Sequence, residues 1–200
     1  MIHYLSILRG INVGGHKKIL MKDLKALYET LGFCEVSSYI QSGNILFKSD
    51  EENTQIIREN IERAIVSQYG FDVPVLIRTS EQIEKILEHQ TFKDLDVESE
   101  GALRMITFLG DTPSSSALEL LKPYLKEDEF FEIKGCELYA YFPNGYRNTK
   151  LTNNLIEKKL QTSATTRNYK TMLKLHELFN KEGSTLRLFS SDLYTFSSLL

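Results

Sequence analysis

The 200-residue sequence has no tryptophan, only two cysteines, four prolines and four histidines, and several of these scarcities remove a class of protein. Cys34, after an expected helix, and Cys136, at an expected hairpin turn, are too few for a disulfide framework and fit reduced thiols in a cytoplasmic protein. His3, His16, His89 and His176 include no pair at ligand spacing, so no zinc or iron centre is expected. Long hydrophobic runs are missing too. The apolar start, MIHYLSILRGINVGG, breaks off at Arg9 and Gly10, too short for a membrane span and without the cleavage site of an export signal. Nor is there an excess of positive charge. A formal net charge of −3 denies the chain the broad field with which proteins coat nucleic acid or anionic membrane, so affinity for anions has to be local.

What is present describes a soluble globular chain. Apolar residues make up 42%, charged residues 26%, and ten Tyr with eleven Phe replace the missing Trp as core material. The length accommodates one domain or two small ones.

Periodicity sets out the elements. Met1 to Leu8 reads as a buried strand ending at Gly10. Met21 to Leu31 repeats apolar residues at Met21, Leu24, Leu27, Tyr28 and Leu31, a helical face stopped by Gly32. Glu35 to Ile40 and Ile45 to Phe47 form a hairpin around Gln41-Ser42-Gly43-Asn44, whose glycine and asparagine accept positive φ. A helix capped by Asn53 or Thr54 and the strand Asp72 to Arg78 complete a β-α-β-β-α-β order, with a third helix at Ser80 to His89. The second half repeats the rhythm: strand Ala102 to Leu109, helix Ser116 to Tyr124, a hairpin of Phe130 to Lys134 with Glu137 to Phe142, then helices Leu151 to Leu160 and Thr166 to Phe179.

The expected fold is α+β, two tandem ferredoxin-like (split β-α-β) units with antiparallel sheets and extra C-terminal helices. Their bounds are 1–92 and 102–180, joined through the acidic stretch Lys93 to Gly101, with helices closing the second unit where a last strand belongs; 181–200 is left unassigned. In this topology the first and second strands run parallel with the third inserted between them. The loop after strand one and the hairpin turn then leave the same edge of the sheet.

Three polar stretches stand out: Arg9 to Lys18 (RGINVGGHKK), Tyr39 to Asn44 (YIQSGN) and Thr165 to Thr171 (TTRNYKT). In the first, Gly10, Gly14 and Gly15 let backbone N–H groups approach a ligand, Arg9 offers a fork for carboxylate or phosphate, and Lys17 and Lys18 add point charges. The glycine spacing matches neither the P-loop nor the dinucleotide fingerprint, and a loop that only needs room to turn fits the same residues. Gln41, Ser42 and Asn44 are neutral donors and acceptors suited to orienting a ligand, or parts of a plain turn. Arg167, Lys170 and Lys174 form a basic stripe on the expected last helix, which also reads as a solvated face.

Leu8 to Gly15, Tyr39 to Asn44 and Ala164 to Thr171 closely resemble the hallmark motifs of the bacterial family DUF1697, in order over about Met1 to Leu178. Tyr169 stands where a tryptophan is common in that family. The resemblance implies a tandem ferredoxin-like α+β fold and marks the same three stretches as a site, but brings no established activity.

The expected function is binding of a small anionic ligand, bearing phosphate or carboxylate, by Arg9, Gly10, Asn12, Gly14, Gly15, Lys17, Tyr39, Gln41, Ser42, Asn44, Arg167 and Asn168. Two alternatives stand beside it. One is an enzyme on such a ligand, with His16 or Tyr39 moving a proton. The other is a single-stranded nucleic-acid binder using the Arg167 stripe, although the aromatic signature of the RRM is missing from Gly43 to Phe47. No cofactor is assigned.

Overall fold

The computed structural model describes residues 1–89, 91 and 96–191. The first half runs β1 (Ile2–Leu8), α1 (Met21–Thr30), β2 (Cys34–Tyr39), β3 (Asn44–Ser49), α2 (Thr54–Tyr69), β4 (Val75–Thr79) and α3 (Ser80–Glu88). After the short α4 (Val97–Glu100), the second runs β5 (Arg104–Leu109), α5 (Ala117–Leu121), β6 (Phe130–Lys134), β7 (Glu137–Tyr141), α6 (Asn153–Leu160), β8 (Ala164–Asn168) and α7 (Tyr169–Ser191). The fold is α+β with two four-stranded antiparallel sheets, ordered β2-β3-β1-β4 and β6-β7-β5-β8. Of the expected linker, residues 93–95 lie outside the described residues, as do 192–200 of the tail.

Sequence chemistry accounts for the boundaries. Asn53 caps α2 through the Gln55 N–H, and Gly70, at φ 76°, ends it. Thr79 and Gln82 form a reciprocal capping box on α3. Thr166 to Asn168, expected to open a helix, lie instead in β8 and pair with β5. The polar sequence ATTRN lacks the apolar alternation of a half-buried strand. What holds it is tertiary: it is an edge strand whose Thr166 hydroxyl lies 2.8 Å from that of Thr107, its cross-strand partner. The second sheet is therefore closed by a strand, and α7 starts only after it.

β1 explains the layering. Tyr4 and Leu8 face α1 and α2 in one core, whereas Leu5 and Ile7 face the other half of the molecule. In the first core Tyr4, Tyr28, Phe33 and Phe47 interlock, with ring centroids 4.5 Å apart for Phe33 and Phe47. Each such buried ring contributes about 1.5–3 kcal/mol. The Tyr28 hydroxyl meets Ser6 Oγ at 2.7 Å, and burial pushes its pKa well above the ordinary value. A second core joins the halves: Leu5, Ile7, Leu46, Leu76 and α3 residues Ile83 and Ile86 pack with Ile106, Phe108, Tyr139 and α7 residues Met172, Leu175 and Phe179. A third lies under α5 and α6.

The halves also repeat their edge hydrogen bonds. Leu8 N–H donates to Gly43 O and Leu109 N–H to Cys136 O, each at 2.8 Å. Arg9 N–H donates to Pro74 O and Gly110 N–H to Ser163 O, each at 2.9 Å. Glu62 accepts from Val75 N–H, as Glu157 does from Ala164 N–H.

Candidate functional site

β3 lies antiparallel between β1 and β2, so the two outer strands run the same way and their carboxyl ends share one edge. The loop after β1 and the turn after β2 meet there. Asn12 joins them: its Oδ1 accepts from Ile19 N–H at 2.9 Å, while its Nδ2 donates to Ile19 O and Gln41 O, each at 3.0 Å. One side chain thus closes the loop on itself and ties it to the turn. Gly43, at φ 77°, admits no side chain, because a Cβ there would lie 2.7 Å from Leu8 Cβ. The expectation of positive φ at Asn44 fails, since Asn44 is the fully buried first residue of β3. The second left-handed turn residue is Ile40, at φ 53°, a conformation that costs a β-branched side chain strain.

Arg167 reaches this edge from the other half, and from a strand. Its Nε donates to Asn44 Oδ1 at 2.6 Å and its Nη2 to Ser42 O at 2.7 Å and Leu8 O at 3.3 Å. Nη1 serves Thr165 Oγ1 and Thr166 O. All five guanidinium N–H groups have acceptors within the protein. Burial lowers its pKa to about 10, which leaves it a cation at neutral pH. Arg9 is likewise committed, its Nε and Nη2 forming a fork on Glu157 at 2.9 and 3.1 Å, with Asn154 Oδ1 at 2.5 Å.

Beside these anchors lies a cavity of about 450 Å³ lined by Asn12, Gly15, Lys18, Ile19, Leu20, Met21 and Gln41. It opens at the amino end of α1, where Leu20 occupies the cap position and no side chain accepts from the first-turn N–H groups. Every other helix of eight or more residues among those described has such an acceptor: Asn53, Thr79, Thr152 or Asn168. The lining is amphipathic, with Leu20, 72% exposed, beside the polar Asn12, Lys18 and Gln41.

Of the expected site residues, Asn12, Gly15 and Gln41 line this cavity. Lys17 instead donates to Asp72 O, Asn44 to Tyr39 O and Ser42 Oγ, and Asn168 caps α7. Tyr39 packs against the core between the halves, and Gly10 and Gly14 supply left-handed turns. His16 is exposed and does not line the cavity. The basic stripe dissolves: Arg167 is buried in β8, Lys170 donates to Glu98 O, and Lys174 pairs with Glu177. Leu20 and Met21 were missed, although an apolar residue where a helix asks for Ser, Thr, Asp or Asn is a readable signal.

Among the described residues no cluster of three His, Cys, Asp or Glu side chains suits a metal ion, and no helix is long and apolar enough to cross a membrane. Fold and edge define a class: an α+β protein of two joined antiparallel sheets with an amphipathic cavity at one sheet edge. The chain belongs to the family described as protein of unknown function DUF1697, whose model matches residues 1–139. That span holds the loop and turn motifs but not Ala164 to Thr171. The structure is similar to that of the conserved bacterial protein SP0830 from Streptococcus pneumoniae, with 27% identity, a TM-score of 0.70, and coverage of 88% of this chain and 97% of that one. No curated protein matches.

Proposed function

We propose that the chain binds a small molecule carrying a phosphate or carboxylate group and an apolar portion in the cavity at the amino end of α1. The observation that carries this reading is the uncapped first turn of α1 opening onto that cavity beside Lys18. Unpaired helix N–H groups and the positive end of the helix dipole favour an anion, and an ammonium group adds charge. Asn12, Gly15 and Gln41 supply orienting polar groups, and Leu20 supplies apolar surface. Arg9 and Arg167 act here as anchors of the cavity wall. We read the two halves, 1–92 and 102–180, as ferredoxin-like units, a reading supported by their matching strand orders.

A thermal-shift panel of nucleotides, phosphomonoesters and dicarboxylates tests the function. At least one compound raises the melting temperature in a saturable manner, and Lys18→Gln weakens its binding about tenfold, the effect of losing one charge-assisted contact. A panel that shifts nothing, or shifts Lys18→Gln as it does the wild type, contradicts the proposal.

A further inference from the structure

The repeated edge bonds make Gly110 the counterpart of Arg9, and the two places are filled differently. On one side of the seam the Arg9 side chain lies on Glu157 and Asn154 of α6. On the other, Gly110 has no side chain, and a Cβ there would lie 2.5 Å from Ser163 Oγ, which would have to turn away. What remains is a notch of about 70 Å³ lined by Thr54, Gln55, Arg58, Val75, Arg78 and Gly110, among others. Its cation comes from α2: Arg58 stands four residues before Glu62, the counterpart of Glu157.

The charges in this notch do not balance. Arg78 is neutralised by Glu137, 2.7 Å from its Nε, and further donates to Ile77 O and Leu109 O. Arg58 Nε is buried and has no acceptor among the described residues. Glu62 is turned to the Val75 N–H at 2.9 Å. A buried guanidinium N–H without a partner is disfavoured, and a planar fork of donors matches the oxygens of an oxyanion. The space equals about two waters at liquid volume, or one tetrahedral anion in their place.

We propose that the seam notch formed by Arg58, Arg78 and the bare backbone of Gly110 binds a phosphate-sized oxyanion, either free or as the terminal group of a monoester. The site is separate from the α1 cavity and independent of the function proposed for it. Equilibrium dialysis of the full chain with radiolabelled inorganic phosphate, and with phenyl phosphate in a second arm, tests it. Saturable binding is expected to persist in Lys18→Gln, which weakens the α1 cavity, and in that background Arg58→Gln is expected to weaken it about tenfold or more. Arg58→Lys, which keeps the charge but loses the fork, is expected to fall between them. Binding of the inorganic ion alone identifies a free anion as occupant, and binding of both identifies a phosphoryl group. No binding by the wild type at tens of millimolar, a range set by the weakest useful affinities, overturns the proposal. Binding unchanged when Arg58→Gln is added to a folded Lys18→Gln protein also overturns it.

Discussion

Arg78 in β4 and Arg167 in β8 stand at matching positions, each reaching across the seam to the other half. Arg78 donates to Leu109 O at the end of β5 and to Glu137 at the start of β7; Arg167 donates to Leu8 O at the end of β1 and to Asn44 at the start of β3. Each therefore pins the carboxyl end of a central strand and a hairpin in the opposite half. The two halves are held by reciprocal arginines as well as by the apolar core between their sheets.

Replacing Arg167 by Met leaves Ser42 O, Leu8 O and Asn44 Oδ1 without this donor, and the expected loss is about 2–4 kcal/mol of stability, measured by urea unfolding. Arg167→Lys should recover little, because an ammonium group cannot span acceptors on both Nε and Nη2. Arg78→Met should cost a comparable amount, since its role is the same.

Gly43→Ala should destabilise by about 2–4 kcal/mol, the sum of a left-handed backbone penalty and a forced contact in a packed edge. The Cβ would meet Leu8 and Ile11, both buried. The same change at Gly15, where a Cβ meets nothing within 4 Å, should cost only the backbone penalty, and the difference between the two unfolding midpoints checks the assignment.

Ile40 carries strain at φ 53° with half its surface exposed. Ile40→Asn, which tolerates this conformation, is expected to add about 1 kcal/mol and raise the melting temperature by about 2–4 °C. Calorimetry showing a lower melting temperature would assign Ile40 a packing role that outweighs its backbone.

The Arg9–Glu157 fork is about one quarter exposed on each side, so its coupling energy in a double-mutant cycle should be about 1 kcal/mol, modest beside the buried Arg167 contacts. Glu157→Ala should cost more than Arg9→Ala, because Glu157 also accepts from the Ala164 N–H that starts β8.

Much of this architecture was written locally. The helical face from Met21, the Asn53 cap and the paired hairpins follow from period and turn chemistry, and together they place the Arg9 to Lys18 loop beside the Gln41 turn. What escaped was non-local. Arg167 lies 123 residues from Asn44, and nothing in TTRNYKT says that its arginine points into a hairpin of the other half. By its own pattern β8 resembles the start of a helix, because its polar residues are stabilised by β5 and not by local alternation. Asn44 looked like a turn residue because it follows Gly43, yet its amide is consumed inside the fold. The cavity was half legible, since Asn12, Gly15 and Gln41 were marked by type, whereas Leu20 and Met21 belong to it through the way α1 begins.

The most direct test is diffraction from crystals soaked in selenate, read through the anomalous signal of selenium. A bound ion in the α1 cavity, within hydrogen-bonding reach of Lys18 Nζ and the N–H groups of Lys22 or Asp23, is the predicted result. Crystals in which selenate occupies other sites while this cavity stays empty at saturating concentration would contradict the account.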